Sequence, residues 1–151
     1  MQHINNKKEI IIQKLKKTNL KITPQRVAIL NELINNFNHP TTNDVYQIIK
    51  KKLPNISFDT VNRTLLTFVR NNIIKTTEGQ NGNKRYDSTI EPHHHFHCII
   101  CNKIIDFINK EYDKIQLPIS IAKKHQILSQ KIILDGICQN CKKNKKIFKL
   151  K

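Results

Sequence analysis

The sequence is short of acidic residues. Asp and Glu together number 11 against 27 Lys and Arg, which gives a formal charge of +16. This imbalance favours a polyanionic partner, nucleic acid first and a membrane surface second. Frequent Lys, Asn and Ile throughout the chain account for part of the charge. Residues 142–151 hold six of the lysines and form a basic, solvated tail, but the rest of the chain keeps a charge of +10.

The sequence also lacks a long apolar segment. It contains no run of about 18 apolar residues, which a membrane-spanning helix requires. Its polar start has no signal-peptide core. These absences predict a cytoplasmic protein without a membrane partner. In that reducing compartment, paired cysteines are more typical of metal ligands than of disulfides.

Cysteine is absent outside two C-x-x-C motifs. A C-x-x-C turn places two thiolates on one side of a cation, and two such turns complete a tetrahedral structural zinc site. The gap between the pairs exceeds the roughly 15–20 residues of a compact zinc ribbon, so a sub-domain lies between them. A redox-active disulfide switch is the alternative. The four predicted zinc ligands are Cys98, Cys101, Cys138 and Cys141.

The first half of the chain predicts four helices. Apolar spacing indicates a helix over residues 4–17, and the following helices have recognisable starts. These starts are Thr23 before Pro24, a Thr41–Asp44 capping box, and Ser57. The last helix carries a polar face of Asp59, Asn62, Arg63, Thr67 and Arg70. Such a face is typical of a helix-turn-helix entering a major groove, although a plain helical bundle has one too.

A hairpin is predicted after these helices. Residues 73–77 and 84–87 resemble strands, and residues 79–83 between them are rich in Gly and Asn, which tolerate positive φ. The hairpin would be the wing of a winged helix. Together with the cationic composition, this arrangement predicts binding to double-stranded DNA.

Residues 93–97 contain four histidines in a predicted strand. Successive side chains of a strand point to opposite faces, so His93, His95 and His97 share one face and His94 lies on the other. His93 and His95 could therefore bind one metal ion together.

Two carboxylates are candidates to complete this second metal site. Asp106 lies on the strand after the Cys101 turn, and a short hairpin would bring it beside the histidines. Asp87 ends the predicted wing. Imidazoles with carboxylates suit iron(II) or manganese(II) better than a sulfur-only site does.

The region between the cysteine pairs predicts a scaffold. A weak helix over residues 115–125 would start near Pro118, and residues 127–134 resemble a strand. Three consecutive apolar residues, 132–134, predict a strand buried on both faces. In so small a domain this indicates a sheet completed across a dimer.

These residues resemble the Fur-type metalloregulators over nearly the whole chain. The motifs are Thr23-Pro24-Gln25-Arg26, His39-Pro40-Thr41, Ser57-x-x-Thr60-Val61-x-Arg63-Thr64-Leu65, Arg85-Tyr86-Asp87, His93-x-His95-x-x-Cys98-x-x-Cys101, Ile104-Ile105-Asp106-Phe107 and Cys138-x-x-Cys141. The resemblance implies an α+β protein with an N-terminal winged-helix DNA-binding domain (residues 1–87) and a hinge at about 86–92. It further implies a C-terminal α/β dimerisation domain with structural zinc (residues 93–141), followed by the basic tail.

The resemblance also implies a regulatory iron or manganese ion that acts as corepressor in a homodimer. Its ligands would be His39, Asp87, His93, His95 and Asp106. Carboxylates at both acidic positions are most similar to the peroxide-sensing PerR subgroup, in which His39 or His93 would be oxidised and the metal released. A regulator of this family that responds to iron, manganese or zinc without sensing peroxide is the alternative.

Predicted DNA contacts come from the second and fourth helices, namely Arg26, Ser57, Thr60, Asn62, Arg63, Thr64 and Arg70. The chain departs from the family at Asn62, where tyrosine is usual, and at Asn102, where glycine is common. Pro92, His94 and Gln130 replace typical ligands of a further family site, so no complete third site is expected.

Two readings from other classes are less favoured. One is a zinc- or iron-dependent enzyme, because open His/Asp metal sites also activate water. The chain lacks the His-x-Glu motif and the proline before C-x-x-C that a zinc deaminase needs, and we expect no enzyme. A nucleic-acid-binding protein that needs no metal would leave the histidine cluster without a role.

Overall fold

The computed structural model describes residues 9, 12–35, 39–79, 82–89 and 91–144. The chain divides into two compact units, Met1–Ile90 and Glu91–Lys151, and the boundary lies within the residues predicted as a hinge. None of the helices in the described part is long and apolar enough to cross a membrane.

The first unit is a winged helix. Residues 12–17 form α1, and residues 4–8, 10 and 11 of the predicted helix lie outside the described residues. The other elements are α2 (Pro24–Asn35), α3 (Thr42–Lys52), α4 (Phe58–Arg70), β1 (Lys75–Glu78) and β2 (Lys84–Asp87). The two strands pair antiparallel, with Lys75 opposite Asp87. The predicted hairpin is confirmed, although Ile73 and Ile74 precede its first strand; they are buried in the core.

The predicted helix starts are confirmed by their caps. The Asp44 N–H donates to Thr41 Oγ1 at 3.2 Å, and the Thr41 N–H donates back to the Asp44 carboxylate at 2.9 Å. The Thr60 N–H donates to Ser57 Oγ at 3.1 Å. Each such cap satisfies backbone donors that a helix leaves open and contributes about 1 kcal/mol.

One apolar core joins the elements of this unit. It contains Ile29, Leu30, Leu33, Ile34, Val45, Ile49, Val61, Leu65, Phe68, Ile73 and Tyr86, all at most 2% exposed. The helical spacing of these residues follows the predicted apolar faces. Tyr86 of β2 belongs to the same core, so the wing is anchored to the helices.

The second unit is built on a three-stranded sheet. Strand β3 (His94–Cys98) lies between β4 (Ile104–Phe107), which is antiparallel to it, and β5 (Ile133–Gly136), which is parallel. A parallel neighbour requires a long crossover. That crossover includes a 3-10 turn (Tyr112–Lys114) and α5 (Ile119–Ala122), and α6 (Gln139–Lys143) follows β5.

Two predictions for this unit need correction. The strand expected over residues 127–134 begins only at Ile133 and extends to Gly136. In the single chain, Ile133 and Leu134 are 37% and 40% exposed; their burial on both faces is expected from a sheet completed across a dimer and stays a prediction. The helix expected over residues 115–125 begins directly after Pro118 but covers only Ile119–Ala122.

The first two residues of the predicted basic tail, Lys142 and Lys143, are exposed and lie in the last turn of α6. Their positive charges interact favourably with the negative end of the helix dipole. Residues 145–151 of the predicted tail lie outside the described residues.

Candidate metal centres and nucleic-acid face

The four cysteines meet at one end of the sheet of the second unit. Their sulfur atoms all lie within 4.8 Å of one another, and the Sγ atoms of Cys101 and Cys138 are 3.7 Å apart. Four thiolates around a zinc ion at 2.3 Å would be separated by about 3.8 Å. All four cysteines are unbridged. The donor set therefore fits a closed tetrahedral zinc site.

Local backbone features bring the two cysteine pairs together. Asn102 adopts a φ of 58°, so the residue in place of the usual glycine does take the left-handed conformation that ends the first C-x-x-C turn. A Cβ on Gly136 would lie 2.8 Å from the Phe96 ring. The Phe96 ring of β3 thus lies over Gly136 of β5. Two residues later, the Cys138 N–H donates to Cys98 Sγ at 3.3 Å.

The electrostatics of the cluster favour a cation. Burial raises the pKa of Cys98, but backbone hydrogen bonds, chiefly from Cys138 and Cys101, outweigh it and lower that pKa to about 6. Burial, and then hydrogen bonds to the neighbouring thiols, raise the pKa of Cys141 to about 12. The thiols therefore do not all ionise together at neutral pH. A zinc ion would supply the charge that lets all four bind as thiolates.

A second donor cluster lies further along the same sheet. His93 Nε2 is 2.9 Å from His95 Nε2. The Asp106 Oδ1 atom is 3.7 Å from the first of these nitrogens and 3.5 Å from the second. Neighbouring ligands at about 2.1 Å from one metal ion are separated by roughly 3.0–3.5 Å. These three side chains therefore suit a shared cation.

The surroundings orient these donors. The His93 Nδ1–H donates to the Glu91 carbonyl at 2.8 Å, so its Nε2 presents a lone pair to the cluster. The histidine side chains are 4–5% exposed, whereas that of Asp106 is 29% exposed. The imidazoles and the Asp106 Oδ1 atom that faces them are therefore enclosed, although the rest of the Asp106 side chain is partly exposed.

The predicted alternation of the histidines along β3 is observed. The ring centroids of His93 and His95 are 4.7 Å apart, and those of His95 and His97 are 6.2 Å apart. His94 lies on the other face, with its ring centroid 5.4 Å from that of Phe107. His97 Nδ1 is 3.6 Å from the Asp135 carboxylate, an interaction that the sequence did not indicate.

His94 and Gln130 have structural contacts that sequence reasoning missed. The Ile132 N–H donates to His94 Nδ1 at 3.2 Å, and His94 Nε2 lies 3.3 Å from the Asn109 carbonyl. Gln130 Nε2 donates to a backbone carbonyl at 2.7 Å. His94 thus holds the crossover to β3, and Gln130 joins two parts of the crossover to each other.

The remaining two predicted ligands come together in the first unit. His39 Nε2 is 3.9 Å from Asp87 Oδ1, and the two side chains are 2% and 4% exposed. Asp87 also accepts the Thr89 N–H at 2.7 Å. The structure therefore groups the five residues as a pair in this unit and a triple in the other.

Four of the seven predicted DNA contacts line one groove of the first unit. This groove has a volume of about 480 Å³ and is lined by Lys21, Thr23, Gln25, Arg26, Asp59, Thr60, Arg63, Thr64 and Thr67. The Arg63 side chain is 79% exposed, whereas Thr64 is only 7% exposed and contributes little surface. Ser57, Asn62 and Arg70 are not among the lining residues, and Ser57 Oγ is occupied by its cap.

Asp59 is the acidic member of this groove. Its carboxylate is 72% exposed and lies 3.8 Å from Arg63 Nη1, one helical turn away. The sequence placed it on the polar face of α4 but did not predict it as a contact. The spacing of an acid four residues before an arginine is the signal that would have found the pair.

Replacing Cys98 with serine should abolish zinc binding and unfold the second unit. Structural zinc supplies on the order of 10 kcal/mol of apparent binding free energy in small domains. Zinc content by elemental analysis and thermal unfolding by circular dichroism would measure the effect. Lys103→Ser, an exposed change in the same turn, is the matched control and should bind zinc normally. A folded, zinc-free Cys98→Ser protein would contradict the assignment.

The comparisons with known proteins match the chain and its fold to one family. The family model described as "Ferric uptake regulator family" matches residues 17–135. The peroxide operon regulator of Bacillus subtilis is 33% identical over 132 residues, which covers 87% of this chain and 91% of that protein.

Solved structures agree. The ferric uptake regulator Fur of Helicobacter pylori, described as having three functional metal binding sites, gives a TM-score of 0.73 at 25% identity and covers 92% of this chain and 93% of its own. The Campylobacter jejuni peroxide stress regulator gives a TM-score of 0.65 at 30% identity, and the match covers 86% of this chain and 98% of that one. The family and the winged-helix α+β fold expected from the sequence motifs are confirmed. The chain belongs to the ferric uptake regulator family.

Proposed function

We propose that the protein is a metal-dependent, dimeric transcriptional repressor that senses hydrogen peroxide. The observation that carries this proposal is the cluster of His93, His95 and Asp106, which is separate from the four-cysteine cluster and uses different donor atoms. A closed sulfur site is suited to structure and an imidazole–carboxylate site to exchangeable iron or manganese. The likeness to the peroxide regulators of Bacillus subtilis and Campylobacter jejuni supports the choice of signal.

The proposed structural zinc is held by the four cysteines and fixes the dimerisation domain, residues 93–141. The proposed regulatory Fe²⁺ or Mn²⁺ is bound by five side chains drawn from both units. These ligands are His39, Asp87, His93, His95 and Asp106. Three imidazoles and two carboxylates are acceptable donors for either cation and leave room for a small exogenous ligand.

Metal binding by these five residues would favour the state that binds DNA. His39 and Asp87 belong to the winged helix and the other three ligands to the second unit, so a shared cation selects arrangements in which all five converge. A cation stabilises one state only by its differential affinity, and a factor of about 10⁴ would switch occupancy almost completely. The metal is thus a corepressor in a cytoplasmic homodimer bound to double-stranded operator DNA.

Release from DNA would follow oxidation of a ligand. Bound iron(II) supplies the redox chemistry toward hydrogen peroxide, and manganese in its place supplies little. His39 and His93 are the proposed sites of oxygen addition. An oxidised imidazole is a weaker ligand, so metal affinity and repression fall together.

Peroxide treatment of the iron-loaded protein should add one oxygen atom to His39 or His93. Peptide mass spectrometry measures the addition and locates it. The manganese-loaded protein should remain unmodified. His94 is an internal control, because it is adjacent to His93 in sequence but lies on the other face of β3. If His39 and His93 stay unmodified in the iron-loaded protein, the alternative holds, namely a metal-responsive regulator that does not sense peroxide.

Arg63→Ala should weaken DNA binding and make it less dependent on salt. Removing one interaction with a phosphate reduces the slope of log affinity against log salt by about one. Asp59→Ala should act in the opposite direction, because it removes a carboxylate that repels phosphates and pairs with Arg63. Fluorescence anisotropy with labelled duplex at several salt concentrations measures both changes.

The matched control for these variants is Lys110→Ala, which removes one exposed positive charge from the second unit. It should change affinity far less than Arg63→Ala does. Equal effects of the two substitutions would mean that only net charge matters and would remove the groove from the proposed DNA interface.

A further inference from the structure

The segment that carries His39 is held by the second strand of the wing. Arg85 Nη1 donates to the His39 carbonyl oxygen at 3.0 Å. The backbone N–H of the next residue, Tyr86, donates to the Pro40 carbonyl oxygen at 2.9 Å. The Tyr86 hydroxyl lies 3.2 Å from Thr42 Oγ1. Three contacts in succession therefore fix residues 39–42 to β2.

His39 needs such support because of its backbone conformation. Its φ is 49°, in the left-handed region that residues with a Cβ adopt at a cost. A conformation of this kind persists where surrounding contacts determine it. The Arg85 guanidinium bonds the carbonyl of this residue, and the imidazole of the same residue has its Nε2 3.9 Å from Asp87. Arg85 thus stabilises the backbone conformation of His39, and this conformation sets the direction of the His39 imidazole.

Strand geometry links the same arginine to the second ligand of this unit. Arg85 and Asp87 are two residues apart on β2, so their side chains leave the same face. Strand β2 therefore carries both Asp87, whose carboxylate lies beside the His39 imidazole, and Arg85, whose guanidinium binds the His39 carbonyl. Arg85 also pairs with Thr77 of β1 across the wing.

The other side of the Arg85 side chain contacts the base of the wing loop. A Cβ on Gly79 would lie 2.8 Å from Arg85 Nε and 3.1 Å from the Asn83 carbonyl oxygen. The Gly79 N–H donates to that same carbonyl at 2.8 Å and closes the loop. The glycine leaves space that the arginine side chain occupies. Arg85 therefore touches the wing loop at one end and the His39 segment at the other.

From these contacts we propose that Arg85 is a positioning residue that couples the DNA-binding wing to the metal ligand His39. The inference rests on the proposed function, in which His39 and Asp87 bind the regulatory metal. A cation on these two residues stabilises the position of Arg85 and the base of the wing, and DNA held by the wing stabilises His39. Coupling of this kind is reciprocal, so DNA raises metal affinity by the factor by which metal raises DNA affinity.

The test measures Mn²⁺ affinity with and without DNA. Electron paramagnetic resonance counts free Mn²⁺, and the duplex is one selected from a random pool by the Mn²⁺-loaded wild-type protein. Arg85→Met keeps the side-chain stem and removes the donors. Its Mn²⁺ affinity should fall about tenfold, the typical effect of removing one charged hydrogen bond. The ratio of affinities with and without DNA should approach one.

Lys84→Met is the matched control. It removes the same charge from the neighbouring position of β2, where the side chain is exposed. Lys84→Met should lower DNA affinity, while the ratio of its Mn²⁺ affinities with and without DNA stays at the wild-type value. A role of Arg85 that is only structural, or only a contribution to charge, would not make the two variants differ in this ratio.

Gly79→Ala tests the same inference without changing the arginine. The added methyl group would have to displace Arg85, so the ratio should fall as in Arg85→Met. This variant decides the question if Arg85→Met does not fold. Wild-type protein in which Mn²⁺ and DNA bind independently would overturn the proposed function. Coupling in the wild type that persists unchanged in the variants would overturn the role of Arg85 alone.

Discussion

The convergence of four cysteine thiols at the end of β3 is the constraint on which the second unit depends. Cys98 is fully buried and ends β3, while Cys138 and Cys141 follow β5. Thiolates this close repel one another unless a cation lies among them. In the described part of the chain, the apolar side chains packed against them are Phe96, Ile100 and Ile137. A core of this size stabilises a domain weakly. Zinc coordination would therefore hold β3 and β5 together in place of a larger core.

The regulatory cluster depends on the same strand. His95 is three residues before Cys98, and Asp106 faces it from β4 in the antiparallel register. An error of one residue in that register would turn every side chain of a strand to the opposite face. By fixing the end of β3, the sulfur cluster would hold the histidines in the register that faces Asp106. The two donor sets differ in chemistry, but strand β3 carries ligands of both, so the position of one set affects the other.

Local chemistry explains why much of this was predictable. Cap residues, the C-x-x-C spacing and the alternation of side chains along a strand depend on a few neighbouring residues, and the Thr41–Asp44 box, the cysteine cluster and the opposite faces of His93 and His94 follow from them. The misses depend on packing between distant segments. The start of β5 depends on where the chain returns beside β3, and the role of His94 depends on where residues 109 and 132 pass. Periodicity carries no information about either.

The face of α4 proposed to meet DNA carries opposite charges side by side. Asn62, in place of the usual tyrosine, is half-buried and lies outside the lining of the groove. Within that lining, the Asp59 carboxylate is 3.8 Å from Arg63 Nη1. A carboxylate repels phosphates, and this one also engages the guanidinium that would meet them. In the proposed complex, the affinity of the groove for the DNA backbone therefore depends on both charges and not on the arginine alone.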